Sequence, residues 1–512
     1  MKLSWISVPL LLHFNAAGQL DSAGLEKDLL QKQSPELVQF YQACNNRLVW
    51  FGTDGETARK NLYAYLDSAE YKGLERNTYA YAFATASARA DKKPASAKDS
   101  LAAELLMTEA AISYVRSLVA GNNTPEFMYE GFVNKQPVDL AGITGEYCGR
   151  NKFILLVDSL KPRMPEINML EEKLTEVRQR ITTTAYQEER VISTAAVCTN
   201  SPLVKKLFVL GAMDSLQPLS DNTVKKGVKA AQQQFTLLND GVLRPTAIEQ
   251  LNIPLSERIR QLEMALDYYR WLHAACMSEP VIVVNIPAAY LKVYYKDSIL
   301  LGMRMIVGRP ATQTPTLTSR VDEIVFYPYW NVPRNIAVRE LLPSIKQNIG
   351  YIEAGNYQVL DKSGNILDPG KINWKSMTAS NFPYRIRQST GCDNALGIVK
   401  INFYNPFTVY LHDTHGRELF MLNRRFFSHG CMRMEKPMEV VRLLLDGQPF
   451  PSGIDTSACE TDQSPVTVKT RLHTPVVVWY NPVGTDDTGR LVFFEDVYGR
   501  LSEPARKSRR PK

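Results

Sequence analysis

Two short stretches of this chain gather reactive side chains. Tyr410-Leu411-His412-Asp413-Thr414 ends an apolar run on a histidine, and Ser428-His429-Gly430-Cys431-Met432-Arg433 sets a cysteine behind a glycine, with fifteen residues between His412 and Ser428. A cysteine sulfur is a good nucleophile only as the thiolate, so it needs a neighbouring base or positive charge. His412 and His429 are bases able to take that proton near neutral pH. Gly430 puts no side chain before the sulfur, which lets a carbonyl approach and leaves backbone N–H groups to face a developing oxyanion. Arg433 adds a permanent cation, suited to a substrate carboxylate or to orienting the loop. Singly, each feature is ordinary: a lone cysteine near a histidine is more often structural, and a histidine ending an apolar strand is often a satisfied core residue. Jointly, they point to a nucleophilic cysteine.

Strands and turns must hold these groups, and the back half of the chain supplies them. From Pro280 the pattern turns β-branched: Val281 to Pro287 reads as a buried strand, and Tyr290–Tyr295, a Lys296-Asp297 turn and Ile299–Val307 read as a hairpin. Strand-like runs recur at Glu323–Tyr327, Gly397–Phe403 and Thr408–His412, a helix is predicted over Pro437–Leu445, and a last hairpin is predicted from Pro475–Tyr480 and Leu491–Phe494. The front half, from about 25 to 200, has apolar residues three and four apart, as in Leu101 to Leu118 and Leu170 to Ile181, and reads as helical. Asp91 to Lys98 reads as a surface loop. Val224 to Phe235, Asn239-Asp240-Gly241-Val242 and Pro245 to Leu251 read as helix, turn and helix, and Ser256 to Cys276 as a strong amphipathic helix. Leu342 to Asn394, rich in Gly and Pro, reads as a long irregular loop, and so long a loop in a compact domain is usually functional.

The 512 residues are too many for one core, and a helical front before a β-rich back predicts a multidomain α+β protein. A net charge of +7 is mild and chooses no partner by itself; part of it lies in the tail 506–512. Lys2, the apolar Ile6 to Phe14 and Ala16-Ala17-Gly18 read as a secretory leader, and no later run is long and apolar enough for a membrane span. The seven cysteines (44, 148, 198, 276, 392, 431, 459) are scattered without a C-x-x-C pair, which argues against a zinc site and leaves one thiol over if the rest were to pair.

The stretch from His412 to Cys431 resembles the catalytic signature of the L,D-transpeptidase (YkuD-type) family. Val284-Asn285-Ile286-Pro287, Thr314-Pro315-Thr316, Pro328 to Pro333 and Asn394-Ala395-Leu396-Gly397 resemble segments of its large periplasmic, YcbB-like branch, as do Leu66 to Leu74 and Leu160 to Pro165 in the front half. The resemblance implies a signal peptide (1–18), a helical scaffold (19–206), a degraded peptidoglycan-binding-like module (207–253), a connecting helix (254–280), a catalytic domain (281–505) whose lid spans about 345–394, and a basic tail. It implies Cys431 as the acylated nucleophile, His412 as its base and Asp413 as the residue whose carbonyl orients the imidazole. Gly430 and Cys431 would give oxyanion N–H groups. Ser428 and His429 would complete the loop, and Arg433, Tyr410 and Trp330 would meet substrate. The implied reaction joins two peptidoglycan stem peptides in a 3–3 cross-link in the periplasm, with release of a terminal D-alanine, no cofactor or metal, no nucleic-acid partner, and sensitivity to carbapenems. An L,D-carboxypeptidase, a lipoprotein-attaching enzyme or an idle wall-binding scaffold are the competing readings.

Overall fold

The computed structural model describes residues 33–52, 55–74, 97–132, 139–192, 201–217, 220–391, 393–454 and 463–501. The expected leader and basic tail, most of the loop expected at Asp91 to Lys98, and Cys198, Cys392 and Cys459 lie outside the described residues. The chain divides into two compact units: one from residues up to Glu70, Leu74–Val119 and Pro137–Lys161, the other from Tyr71–Gly73, Ala120–Gln136 and everything from Pro162 onward.

The first unit is helical: α1 (Pro35–Ala43), α2 (Gly55–Asp67), α3 (Ala97–Ala120), α4 (Leu140–Gly149) and α5 (Phe153–Leu160). Ser34 caps α1 by accepting the Leu37 N–H, with Pro35 in the first turn, where its missing N–H costs nothing. Leu37, Phe40 and Tyr41 then share a core with Leu62, Leu66, Met107, Tyr114 and Leu118. Gly145 lets α4 close on α1, since a Cβ there would stand 2.1 Å from the Phe40 carbonyl oxygen. Inside this core Glu104, fully buried, accepts the N–H groups of Val49 (2.6 Å), Trp50 (3.0 Å) and Phe51 (2.9 Å) and the Tyr41 hydroxyl (3.2 Å).

The second unit begins with α6 (Pro165–Thr183), α7 (Pro202–Val209), α8 (Asp221–Gln234), α9 (Pro245–Leu251) and α10 (Leu255–Cys276). Leu170, Leu174 and Val177 of α6 pack with Leu262 and Leu266 of α10, and Arg178 pairs with Glu263 at 2.6 Å. Helices α6 and α7 belong to this unit because their apolar faces share its core. The 207–253 segment is helix, turn and helix: Gln232 pins the turn, donating to the Val242 carbonyl (2.9 Å) and accepting the Gly241 N–H (2.8 Å).

A β-barrel follows. Strand β1 (Tyr129–Glu130) flanks it; β2 (Val281–Asn285), β3 (Tyr290–Tyr295), β4 (Ser298–Gly308) and β5 (Leu317–Phe326) open it. The chain then leaves for an insert with β6 (Trp330–Asn331), helix α11 (Leu342–Gln347), β7 (Tyr357–Leu360), β8 (Ile366–Leu367) and β9 (Arg385–Gln388). It returns as β10 (Val399–Phe403), β11 (Leu411–His412), β12 (Phe426–Ser428), β13 (Met432–Met434), α12 (Pro437–Leu445), β14 (Val466–Lys469) and β15 (Pro475–Trp479). The hydrogen-bonded order β5-β10-β11-β13-β4-β3-β2-β15, with β15 paired back to β5, is a closed ring. Strand β2 shows why its sequence is apolar throughout: Ile282 and Val284 face the barrel core, while Val281 and Val283 face the helices.

Two expectations are corrected. Pro475–Trp479 does not make a hairpin with the next strand: it pairs parallel to β2 and antiparallel to β5, and the hairpin is β16 (Val483–Thr485) with β17 (Leu491–Phe493). Asn481 ends the excursion, its N–H donating to the Asn285 side chain at 3.0 Å. Nor is Leu342–Asn394 irregular. The insert starts at Trp330 and holds a four-stranded sheet, order β6-β9-β7-β8, over its own core of Val332, Ile336, Leu341, Ile345, Trp374, Phe382 and Ile386. Its strands are short, so their period was too brief to stand out among the turns.

Candidate active site

The barrel register decides which side chains meet. Lys400 of β10 lies opposite His412 of β11, and His412 lies opposite Arg433 of β13. Leu411, Met432 and Met434 point into the barrel core, so alternation turns His412 and Arg433 to the other face. Tyr410 and Cys431, two residues back along their own strands, share that face. There Tyr410 acts on the Cys431 thiol, pulling its pKa down against the effect of burial. The Lys400 ammonium lies 4.1 Å from the centre of the Tyr410 ring.

His412 is almost wholly buried, and its Nδ1 lies 2.6 Å from the Asp413 carbonyl oxygen. A carbonyl only accepts, so Nδ1 carries the proton and Nε2 is left as a free base. Burial, helped by the charges of Arg433 and Lys400, pushes the imidazole pKa down to about 3, against the opposing pull of the Asp413 carbonyl. Burial likewise pushes the half-buried Cys431 thiol up, against bonds from Tyr410 and the charges of Lys400 and Arg433. At neutral pH the thiol and the imidazole are therefore both neutral.

The nucleophile loop is braced from both sides. Thr314 accepts the Gly308 N–H (2.8 Å) and donates to the Gly430 carbonyl (2.9 Å), and Thr312 donates to the Ser428 carbonyl (3.0 Å). Ser428 is buried; its hydroxyl donates to the Cys431 carbonyl and accepts the Gly430 N–H at 3.1 Å. Gly430 has φ +115°, a conformation that favours glycine. Its N–H, expected to face an oxyanion, is thus already taken; the Cys431 N–H meets no acceptor among the described residues.

The remaining expected residues divide. The Asp413 carboxylate accepts the Ile398 N–H (3.0 Å) and pairs with Arg417 (2.8 Å), so side chain and carbonyl together fix the strand end. His429 turns to Arg309 and Glu340, its Nε2 lying 2.7 Å from each. Trp330 packs against the core of the insert. Arg433 reaches the reactive face and its buried Nε has no hydrogen-bond partner. Lys400 was not singled out by its sequence. Its only signal was a lone cation in the alternation Val399-Lys400-Ile401-Asn402-Phe403.

Residues 279–468 match a family model described as the L,D-transpeptidase catalytic domain (YkuD), and residues 35–174 match one described as a scaffold domain. A protein of Haemophilus influenzae named "Putative L,D-transpeptidase" is 35% identical over 221 residues, which is 43% of this chain and 44% of that protein. The chain thus spans less than half the length of that relative. A solved L,D-transpeptidase from Mycobacterium smegmatis is 14% identical, covering 39% of this chain and 58% of that one with a TM-score of 0.20, a likeness too slight to bear on the fold.

Proposed function

We propose that this chain, which carries an L,D-transpeptidase catalytic domain behind a scaffold domain, cross-links peptidoglycan stem peptides through a thioester on Cys431. The observation that carries the reading is the shared face of Tyr410, His412 and Cys431, with the imidazole locked so that Nε2 is the base. The Cys431 thiol gives its proton to His412 as the sulfur attacks the carbonyl of the third residue of a tetrapeptide stem. The Cys431 N–H meets the oxyanion. The tetrahedral species collapses, the C–N bond breaks, and His412 returns the proton to the departing amine of D-alanine. An amine of a second stem then attacks the thioester and gives a proton to His412, which passes it to the sulfur as the C–S bond breaks. The result is a 3–3 cross-link and a restored thiol. The insert is a lid that holds the acyl group away from water. A secretory leader over 1–18, as the sequence reads, would direct this work to the periplasm.

The test is incubation of the protein with a disaccharide tetrapeptide and mass analysis of the products. A cross-linked dimer lacking one D-alanine is expected. Tripeptide alone would mean a carboxypeptidase, and unchanged substrate with no covalent species on Cys431 would sink the enzymatic reading.

A further inference from the structure

Elsewhere among the described residues, most buried cations have an oxygen partner, an anion in several cases and the Gln250 and Gln261 side chains for the fully buried Arg258. Lys292 meets Glu166 at 3.1 Å, Arg270 meets Glu171 at 3.2 Å and Arg178 meets Glu263 at 2.6 Å. The reactive face breaks the habit. The Arg433 guanidinium makes no hydrogen bond or ion pair with any described residue, and its Nε is sealed from solvent. Lys400 has the Tyr410 ring as its neighbour and no carboxylate of a described residue within ion-pair distance. The acidic groups that act on the two from farther off are Glu418 and Glu323, and Glu323 is already held by Lys469 (3.0 Å) and Asn402 (2.8 Å).

Two partly buried cations on either side of one neutral histidine repel each other and lose hydration, a cost that an arriving anion removes. We infer that Lys400 and Arg433 form a carboxylate-binding subsite beside Cys431, occupied by a carboxylate of the donor peptide. The guanidinium offers a planar fork that matches a carboxylate, and the ammonium offers a point charge from the other side. Arg433 lies two residues beyond Cys431, about 6.6 Å along the chain for extended backbone. In a peptide whose last amide bond is attacked, the terminal carboxyl carbon is three bonds from the reacting carbonyl carbon. A sulfur placed on that carbonyl therefore puts the carboxylate within the same small space. The identity of the peptide rests on the proposed function; the subsite itself does not.

Alkylation of Cys431 tests the subsite without any peptidoglycan. Iodoacetate carries a carboxylate and iodoacetamide does not, and the modified Cys431 peptide can be followed by mass spectrometry. The ratio of the two rates cancels any change in thiolate content. Wild type should favour iodoacetate more than free cysteine does in the same buffer. Arg433→Met should lower the ratio by about tenfold and Lys400→Met by less, as expected for losing charged hydrogen-bond donors. Lys400→Arg should restore it. A ratio equal to that of free cysteine in wild type, or unchanged in the double Met variant, would overturn the proposal. If a variant misfolds, wild type alone decides: N-acetyl-D-alanine should slow iodoacetamide and its amide should not, and equal effects would refute the subsite. Donor peptides amidated at the C-terminus or at the side-chain carboxylate of residue three then show which carboxylate binds, by which one raises KM. If alkylation behaves as expected but no donor is processed, the function has failed and the subsite stands.

Discussion

The Glu104 cluster of the helical unit and the Cys431 cluster of the barrel unit are both buried and polar, yet they are built to opposite rules. Around Glu104 nearly every polar atom is engaged: the carboxylate takes three backbone N–H groups and a tyrosine hydroxyl, and Thr108 bonds both Tyr41 (2.8 Å) and the Trp50 indole (2.9 Å). Around Cys431 the imidazole Nε2, the Cys431 N–H and the Arg433 Nε have no hydrogen-bond partner among the described residues, and the Lys400 ammonium has only the Tyr410 ring. A saturated cluster holds a loop in place and has no capacity left for a ligand. An unsaturated one costs stability and keeps its donors and acceptors for a reacting molecule.

The largest effect expected is at the sulfur. Cys431→Ala should abolish both cross-linking and thioester formation while the protein stays folded, and Cys431→Ser should fail too, because an alkoxide forms less readily than a thiolate. Product analysis and intact-mass measurement check this; activity in the alanine variant would exclude the mechanism. Next comes the base. His412→Ala should lower kcat/KM by roughly 10²–10⁴. Because burial holds the His412 pKa near 3, the base is in its neutral, active form far below the usual histidine value. The acid limb of kcat/KM should therefore lie well below pH 6.5, and a limb at 6.5 in the free enzyme would contradict the buried, neutral imidazole.

Stability against pH should separate the two clusters by sign. Folding raises the Glu104 pKa from 4.5 to about 7, chiefly through burial, so between these values the folded state binds more protons and its unit loses stability as pH rises. Folding lowers the His412 pKa from 6.5 to about 3, so in that window the unfolded state binds more protons and the barrel gains stability as pH rises. Hydrogen exchange resolved by segment should show opposite slopes between about pH 4.5 and 6.5. Glu104→Gln should flatten the helical slope and itself destabilise that unit by about 1–3 kcal/mol, since an amide N–H₂ would face backbone N–H donors.

Smaller again is Gly397→Ala. The added Cβ would stand 2.3 Å from Asp413 Oδ2 at φ +58°, costing on the order of 1–3 kcal/mol in a denaturant melt and loosening the carbonyl that fixes His412. The smallest loss of rate is expected for His429→Ala, whose ring is turned to Arg309 and Glu340; a loss matching that of His412→Ala would mean the base was misassigned.

How much of this was legible in the sequence depended on the range of the signal. His412 and Cys431 stand out in the sequence by residue type and spacing, and the helix Pro437–Leu445 and hairpin β3–β4 are readable because their contacts are local. Lys400 was not, because its importance comes from register with β11, which no local pattern records. The insert reads as a loop in sequence because strands of two to four residues between turns show too little alternation. Its core also sets where the insert can be cut out. A cut from Gly355 to Gly391 would strip β7, β8 and β9 and bare Val332, Ile336 and Leu341, so a clean excision has to begin at Trp330.

Barrel closure has a consequence for the order in which this chain can fold. Strand β2 lies between β3, its neighbour in sequence, and β15, which is translated almost two hundred residues later and also closes onto β5. Until Pro475–Trp479 has emerged, Val281–Asn285 and half of β5 present bare edges, and contacts of such long sequence separation form slowly. The catalytic-domain match ends at 468, short of β15. A fragment trimmed to that boundary would contain every reactive residue and still be an open sheet prone to association, so the shortest piece able to hold the site must run past Asn481.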